Sequence, residues 1–352
     1  MIQSLTVGDR AIGPGQPCFI IAEAGVNHNG VREAAHSLVD AAADAGADAV
    51  KFQTWVTEEV CVRGAFKAEY QKHGGGEEED QFEMLKRLEL PYAWHAELKA
   101  HAEERNILFL STPDDLPSAR FLCELGVPAI KIGSAEVTNL AYLAQLGAMR
   151  RPLILSTGMA AVPQIARALE EIRGVSDSID VALLHCVSAY PAPEEEMNLR
   201  CIATLRDQFQ VPVGLSDHTV GSMAATLGAG LGMSIYEKHI TLDRRMPGPD
   251  QSSSTEPAEF AVIVAAVRKA ERMMGSGIKA ATASEAPVAA AVQRVLAYAR
   301  NLTAGRAIAI EDIKPLRCGQ AGLAPSEIPR FLSRVLRTDV TAGTVVQDGD
   351  FQ

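Results

Sequence analysis

Eight short apolar runs, each ending in polar or glycine residues and most followed by an amphipathic segment, recur through the first 240 residues of this chain. Apolar strands that alternate with helices are typical of a parallel sheet covered by helices. The predicted strands are Cys18–Glu23, Ala49–Gln53, Ile107–Ser111, Ala129–Ile132, Leu153–Ser156, Val181–His185, Val213–Ser216 and Ser234–Glu237, and the predicted helices include 31–45, 94–105, 116–125, 162–173, 197–208 and 221–231. Eight such units predict an α/β fold, a closed (β/α)8 TIM barrel.

An open, doubly wound sheet is the alternative fold. It is disfavoured because the segment AEAGVNHNG at the end of the first strand lacks the G-x-G-x-x-G order of a dinucleotide-binding turn.

A polar insertion, 55–91, interrupts the alternation of strands and helices after the second strand. It contains the acidic run GGGEEED at 74–80. It is either a surface loop or, on the C-terminal face of a barrel, a substrate-covering segment. We expect the acidic run itself to be solvated rather than catalytic.

The barrel pattern stops near Gly275, and the rest of the chain is predicted to form a separate unit. We divide the chain into a barrel domain at 1–278, a small-residue linker at 279–292 and a small domain at 293–352. Residues 301–313 of that domain resemble residues 339–351, which predicts a pseudo-symmetric fold with few regular strands. A domain of this size buries little surface alone, so we expect it to pack against the barrel or a partner chain.

Composition excludes several classes of protein. The net charge of −11, with no basic stripe, argues against a nucleic-acid partner. The first residues lack the basic and apolar regions of a signal peptide, and no apolar run reaches the length of a membrane span. Six cysteines without a C-x-x-C pair predict reduced thiols in a cytoplasmic protein.

Two histidines follow the last two predicted strands. His218 ends the run VPVGLSDH and His239 ends the run SIYEKH. Parallel neighbouring strands would bring them side by side at the end of the sheet where α/β folds build active sites. Two adjacent imidazoles suggest a divalent-metal site. Because two ligands make a weak signature, two unrelated, hydrogen-bonded histidines are the alternative.

Two lysines stand inside apolar strands, Lys51 in AVKFQ and Lys131 in AIKIGS. A buried lysine is costly unless an anion meets it. With the hydroxyls at equivalent strand ends, namely Ser134, Ser156 and Ser216, the two lysines suggest a cradle for a phosphate or carboxylate. The alternative is that each lysine pairs with a barrel carboxylate such as Glu136 or Glu237.

Other strand-end residues leave two interpretations open. Glu23 is either a general base or a salt-bridge partner for a neighbouring lysine. His28, in the turn NHNG, either ligates a metal or shapes the loop, and His185 is either structural or catalytic. Asp250, in the turn PGPD, either binds sugar hydroxyls or only forms the turn.

A family resemblance rests on several motifs that occur in order. The motifs are FIIAEAGVNHNG, GADAVKFQT, FLSTP, AIKIGSAE, LILSTGM, LLHCVSAYPAP, VGLSDHT, YEKHITLDR and PGPDQSSS. Together they resemble the sialic acid synthase family over about residues 17 to 256. The tail segment NLTAGRAIAIEDIKPLRCGQAGL resembles the family's C-terminal antifreeze-like (SAF) domain. The resemblance therefore covers nearly the whole chain.

The resemblance implies an enzyme that condenses phosphoenolpyruvate with an N-acetylmannosamine-type sugar, giving a nine-carbon 2-keto acid and phosphate. It implies a divalent metal, Mn²⁺ or Mg²⁺, and a domain-swapped homodimer. The implied roles are metal ligation for His218 and His239, phosphoenolpyruvate binding for Lys51, Lys131, Ser134, Ser156 and Ser216, sugar binding for Gln53, Ser188, Tyr190 and Asp250, and proton transfer for Glu23. Arg317 is implied to reach the sugar's N-acetyl group from the neighbouring protomer.

One departure leaves the sugar open. Neuraminate-type members often have Asn where this chain has Ser188, so VSAYPAP is closer to synthases of legionaminic or pseudaminic acid. His185, however, is a feature of neuraminate and legionaminate types. The acceptor is N-acetylmannosamine, a 6-deoxy diacetamido relative or a 6-phosphorylated sugar. Two other classes also stay open: another metal-dependent aldolase or phosphoenolpyruvate-condensing barrel enzyme, and a non-catalytic carbohydrate-binding protein.

Overall fold

The barrel strands form where short apolar runs are buried on both faces. The computed structural model describes residues 2, 4–69, 71, 79–175 and 179–352. A hairpin of β1 (Leu5–Val7) and β2 (Arg10–Ile12) precedes eight parallel strands, β3 (Phe19–Gly25), β4 (Ala49–Thr54), β5 (Leu108–Pro113), β6 (Ile130–Ile132), β7 (Leu153–Ser156), β8 (Val181–Cys186), β9 (Val213–Asp217) and β10 (Ile235–His239). These eight close into a barrel because β10 pairs with β3. The predicted TIM barrel is confirmed.

Helices cover the barrel. They are α1 (Arg32–Asp44), α2 (Thr57–Val60), α3 (Gln81–Leu88), α4 (Tyr92–Glu104), α5 (Leu116–Leu125), α6 (Leu140–Ala148), α7 (Val162–Val175), α8 (Cys201–Phe209), α9 (Met223–Gly230) and α10 (Pro257–Met274). Local signals fix some ends: the Asp115 side chain caps α5 by accepting from Ser118 N–H, and Gly126 ends that helix with a φ of 79°. Within the described parts of the chain, no helix is long and apolar enough to cross a membrane.

The polar insertion at 55–91 contains α2 and α3, which the sequence did not predict. Most of its acidic run, 74–78, lies outside the described residues. Asp80, at the end of the run, begins α3 through a capping box with Glu83. The buried face of α3 packs Met84 and Leu88 against Val26 and Trp55, so this part of the insertion is an ordered helix beside the strand ends.

The barrel interior is apolar at one end and polar at the other. Because side chains alternate along a strand, every second residue points inward. The inward residues nearest the strand starts form one cluster with the hairpin: Leu5, Val7, Ile12, Phe19, Ile21, Ala49, Leu110, Ala129, Ile154, Ala182, Leu184 and Ile235. The hairpin, which the sequence did not predict, therefore adds apolar side chains to the barrel core. Two residues beyond the last cluster residue of six strands, β3 to β7 and β10, the inward positions are polar: Glu23, Lys51, Thr112, Lys131, Ser156 and Glu237.

The chain divides into two compact units, residues 1–275 and 276–352. In the second unit, the segment predicted as a linker contains the helix α11 (Ala286–Val292). Its strands β11 (Val295–Tyr298) and β12 (Ile313–Leu316) form a two-stranded antiparallel sheet. The internal repeat is structural: Ala304 N–H donates to Asp339 Oδ1 and Ala342 N–H donates to Asn301 Oδ1, both at 2.8 Å. All six cysteines of the chain are free thiols.

Candidate active site

The polar inward residues of neighbouring strands meet at the C-terminal end of the barrel. Strand register places Glu23 opposite Lys51 and His239 opposite Glu23, and pairs Glu237 with Ser216. Glu23, Lys51 and Glu237 each follow an apolar inward residue by two positions, so they enter one layer of the barrel interior. His239 lies two residues beyond Glu237 on the same strand. The sequence-predicted residues Glu23, Lys51, Lys131, Ser156 and Ser216 are all buried there, as is Glu237.

Two lysines and two glutamates form a buried network in this layer. Lys51 Nζ lies 2.5 Å from Glu23 Oε2 and 3.6 Å from Glu237 Oε2, and it donates to Thr112 Oγ1 at 2.9 Å. Lys131 Nζ donates to Ser156 Oγ at 2.8 Å and lies 3.5 Å from Glu237 Oε1. Both lysines therefore face barrel carboxylates, as one interpretation of the sequence expected, with Glu237 as the shared partner.

The two glutamates differ in their proton affinity. Burial raises the pKa of Glu23 to about 7, against the lowering effect of Lys51. Burial also acts to raise the pKa of Glu237, but Lys131, Lys51 and the hydrogen bond from Ser216 outweigh it and the pKa falls. Only below about pH 7, where Glu23 is mostly protonated, do two ammonium groups face the single carboxylate of Glu237.

The predicted histidine pair is brought together beside this network. The ring centroids of His218 and His239 are 5.6 Å apart, and the Tyr190 ring lies 4.1 Å from the His218 ring. His218 Nδ1 donates to the carbonyl of Val187 at 2.8 Å, which leaves Nε2 with its lone pair. His239 Nδ1 is buried without a hydrogen-bond partner and lies 3.8 Å from Asp250 Oδ2.

These features fit a divalent cation held by two imidazoles. An orphaned buried nitrogen and an oriented imidazole are the donor set that a transition-metal ion uses. Among the described residues, no group of three or more His, Cys, Asp or Glu could hold a metal. A cation here would therefore have two protein ligands and open positions for water or substrate.

The predicted serines Ser134 and Ser188, which follow β6 and β8, meet at one corner of the mouth. Ser134 Oγ accepts from Gly158 N–H at 2.9 Å. A Cβ added to Gly158 would lie 2.2 Å from Ser188 Oγ, so only glycine lets these hydroxyls approach. The corner supplies two hydroxyl groups and sits beside Cys186, whose Sγ is 4.0 Å from Ser188 Oγ.

A cavity of about 100 Å³ opens beside the histidine pair. It is lined on one side by Gln53, Tyr190, His239 and Asp250, so it brings together three of the four predicted sugar-binding residues, without Ser188. Gln53 Nε2 donates to Glu23 Oε1 at 3.0 Å, and burial raises the pKa of Asp250 to about 6. A larger cleft, about 1430 Å³, is lined by residues at the other end of the barrel and contains none of the predicted site residues.

The remaining predicted residues lie elsewhere. His185 Nε2 donates to the carbonyl of Met197 at 2.6 Å. His28 Nδ1 accepts from Gly30 N–H at 3.0 Å within its own turn, and His28 Nε2 is buried without a hydrogen-bond partner. Glu136 accepts from Asn139 rather than from either lysine. Arg317 follows β12 in the second unit.

Thr112, a polar strand-end residue that the sequence predicts for the mouth, lies there and accepts from Lys51 Nζ. Sequence reasoning left out two residues of the mouth, Cys186 and Asp114. Cys186 follows the inward residue Leu184 by two positions, so extending the strand alternation would have found it. Burial and the nearby Glu136 raise the pKa of Asp114 to about 7. No motif marks Asp114, because its environment depends on residues from other strands.

Comparisons with known proteins show which family the chain resembles. The NeuB family profile matches residues 38–279, and the SAF domain profile matches residues 293–352. The chain is 43% identical over 342 residues to the N,N'-diacetyllegionaminic acid synthase of Legionella pneumophila, covering 96% of each chain. It is 36% identical to the human N-acetylneuraminate-9-phosphate synthase, over 77% of this chain and 75% of that protein. The crystal structure of an N-acetylneuraminic acid synthetase from Leptospira borgpetersenii superposes with a TM-score of 0.72 at 36% identity, covering 81% of this chain and 95% of that one.

Proposed function

This chain belongs to the NeuB family and ends in a SAF domain, and from that premise we propose that it is a nonulosonate synthase that condenses phosphoenolpyruvate with a 2-acetamido sugar. The observation that carries the proposal is the single mouth in which two buried lysines, several hydroxyls and a histidine pair converge. The names of the relatives, synthases of legionaminic acid and of N-acetylneuraminate 9-phosphate, support the same class of product.

Phosphoenolpyruvate is a small polyanion, and the lysine layer suits it. Lys131 donates to Ser156 and makes only a 3.5 Å contact with Glu237, so its charge can be shared with a phosphate. Lys51 and the hydroxyls of Ser134, Ser156 and Ser216 supply further donors. These groups would also stabilise the charged tetrahedral centre that forms when water adds to C2 before phosphate leaves.

The acceptor sugar would occupy the cavity lined by Gln53, Tyr190 and Asp250. The role of Ser188 in binding it rests on the family resemblance alone. Its open-chain aldehyde would face His218 and His239, where bound Mn²⁺ or Mg²⁺ would supply a Lewis acid for that oxygen. C3 of phosphoenolpyruvate forms the new bond to the aldehyde carbon. Glu23, whose pKa is raised to about 7 by burial, can exchange a proton with water near neutral pH.

The assembly belongs to the same proposal. We infer a cytoplasmic, domain-swapped homodimer in which Arg317 of one SAF domain completes the sugar site of the other barrel. The reasons are the small apolar core of that domain and the family resemblance of the LRCGQAG segment.

The decisive test is phosphate release from phosphoenolpyruvate with a panel of 2-acetamido sugars and Mn²⁺. Acceptor-dependent phosphate and a nine-carbon 2-keto acid would support the synthase. Condensation that needs pyruvate and releases no phosphate would indicate an aldolase, and sugar binding without turnover a carbohydrate-binding protein. Calorimetry with Mn²⁺ tests the metal site directly: His239→Ala should abolish binding, whereas unchanged Mn²⁺ affinity would contradict it.

A further inference from the structure

The turn NHNG after β3 has no part in the chemistry proposed for the mouth, yet its first asparagine is almost fully buried. Asn27 is 1% exposed and does not line the cavity beside the histidine pair. Its Nδ2 donates to the carbonyl of Ile240 at 2.8 Å and to Ser254 Oγ at 2.9 Å. Asn27 therefore joins the turn after the first barrel strand to the segment that follows the last one, β10.

Ser254 connects Asn27 to Asp250. The hydroxyl that accepts from Asn27 donates in turn to the backbone carbonyl of Asp250 at 2.6 Å, and Ser254 is 2% exposed. Asp250 precedes the short helical turn Gln251–Ser253 with a φ of −107° and a ψ of −11°. Because the carbonyl and the carboxylate belong to one residue, a hydrogen bond that fixes the carbonyl also limits where the carboxylate lies.

The segment around Asp250 is held on both sides by the same turn. Before Asp250, Asn29 Nδ2 donates to the carbonyl of Pro247 at 2.7 Å. After it, Gln251 Nε2 donates to the carbonyl of Asn27 at 3.0 Å. These two contacts hold the neighbours of Asp250, whereas the hydrogen bonds from Asn27 to Ser254 and onward reach Asp250 itself.

The place of Asp250 matters because its carboxylate lines the cavity. Asp250 Oδ2 lies 3.8 Å from His239 Nδ1, and both residues line the cavity together with Gln53 and Tyr190. A carboxylate accepts hydrogen bonds over a narrow range of distance and angle, so its position decides which sugar hydroxyls it can reach. A shift of about 1 Å is enough to break such contacts.

We propose that Asn27 is a positioning residue for the acceptor site: through Ser254 it fixes Asp250 at the cavity wall and so sets the affinity for the sugar without touching it. The inference rests on the proposed function, in which Asp250 binds the acceptor. It extends that function to two buried residues outside the cavity. Phosphoenolpyruvate would bind in the lysine layer, so its affinity should not depend on these hydrogen bonds.

Ser254→Ala removes the connecting hydroxyl with little change in volume. We expect KM for the acceptor to rise about three- to tenfold, the effect of one hydrogen bond, with a smaller change in kcat. Calorimetry should give the wild-type affinity for phosphoenolpyruvate, and Asn27→Ala should show the same split. Ser252→Ala is the matched control: Ser252 lies in the same segment, is exposed, and its hydroxyl hydrogen-bonds to none of the described residues.

A double-mutant cycle distinguishes positioning from a general loss of structure. The measured quantity is the acceptor's dissociation constant from an NMR titration, which needs no turnover. If Ser254 acts through Asp250, Ser254→Ala should weaken binding by less than about twofold once Asp250→Ala has removed the carboxylate. A general loss of structure would add its full effect in both backgrounds, and circular dichroism would confirm that each variant is folded.

The outcomes separate the two proposals. No phosphate release by the wild type with any 2-acetamido sugar would overturn the proposed function and this inference with it. If the wild type turns over, three results would each overturn the inference alone: an unchanged acceptor KM in folded Ser254→Ala, an equal loss of phosphoenolpyruvate affinity, or a Ser254→Ala effect that persists in full beside Asp250→Ala.

Discussion

Lys51 and Lys131 are both buried, yet their surroundings differ in a way that matters for ligand binding. Lys51 lies between two carboxylates, and its pKa is raised because Glu23 and Glu237 outweigh the effect of burial. The pKa of Lys131 is lowered, because burial and the nearby charge of Lys51 outweigh the attraction of Glu237. Lys131 is thus the less compensated cation and the one with more to gain from an anion.

Lys131→Met should weaken phosphoenolpyruvate binding. The change keeps the apolar stem and removes a charged donor worth about 1.5–3 kcal/mol, so the affinity should fall roughly tenfold or more. Calorimetric titration of the purified protein with phosphoenolpyruvate measures this. Thr204→Val, at an exposed hydroxyl on α8, is the matched control, and an unchanged affinity in a folded Lys131→Met protein would contradict the assigned role.

Glu23 predicts a pH dependence with a defined sign. Burial raises its pKa to about 7, so a base function needs the ionised form and kcat/KM should rise as pH increases through about 7. Glu23→Gln should lower kcat/KM and remove that rise. A steady-state profile measured across neutral pH checks this, and a wild-type profile that is flat there would argue against Glu23 as the base.

The raised pKa of Glu23 also makes stability depend on pH, but with the opposite sign: kcat/KM should rise with pH, whereas the free energy of unfolding should fall. Because the folded state holds the proton of Glu23 more tightly than the unfolded chain does, its contribution to stability is present at low pH and is lost as pH rises through about 7. The unfolding free energy of Glu23→Gln should accordingly depend less on pH than that of the wild type.

At the scale of elements, β9 and β10 are joined on their outward faces by a second buried ion pair. Asp217 Oδ2 accepts from Lys238 Nζ at 3.0 Å and from Tyr236 OH at 2.7 Å. Its other oxygen accepts from both the backbone N–H and the hydroxyl of Thr219. The pair ties together the strand ends that carry His218 and His239.

Asp217→Asn should destabilise the barrel. It leaves the Lys238 ammonium buried beside a neutral amide, and breaking a buried pair costs about 3–5 kcal/mol. Urea unfolding measures the loss, and the double variant Asp217→Asn/Lys238→Met should recover part of it because the unpaired charge is removed. If the single variant is as stable as the wild type, the pair does not hold these strand ends.

At the scale of the whole molecule, the chain has two units, each with its own apolar core. The barrel carries the lysines, the hydroxyls and the histidines, whereas Arg317 lies in the second unit. In the proposed homodimer, the second unit of one protomer lies at the barrel mouth of the other. Arg317 of one protomer would then complete the site formed by the lysines, hydroxyls and histidines of its partner's barrel.

Mixing two inactive variants tests this arrangement. His239→Ala damages the barrel site and Arg317→Ala damages the second unit. After subunit exchange, a mixed dimer would pair one intact barrel with one intact second unit and regain up to half of the sites in that dimer. Activity that stays at the level of the separate variants after confirmed exchange would show that Arg317 does not act across the interface.

The sequence by itself determined the eight barrel strands and most of their polar ends. Both follow from a local property, because apolar runs specify buried strands and alternation decides which side chains point inward, as in Ile21 and Glu23 of β3. The internal repeat of the second unit could also be predicted from local sequence, because each copy contains the same turn-forming residues.

Only the tertiary structure decided which of these groups meet. Lys51 and Lys131 share Glu237 and not Glu136, and this pairing depends on barrel closure. The same holds for Asp114, which joins the mouth, and for the placing of Met84 and Leu88 of α3 in the cavity beside His239. The hairpin β1–β2 was missed for a related reason: its two three-residue strands carry too short a pattern, and its apolar side chains are explained only by the barrel core that they join. Contacts between residues far apart in sequence follow from register and closure, which no local pattern contains.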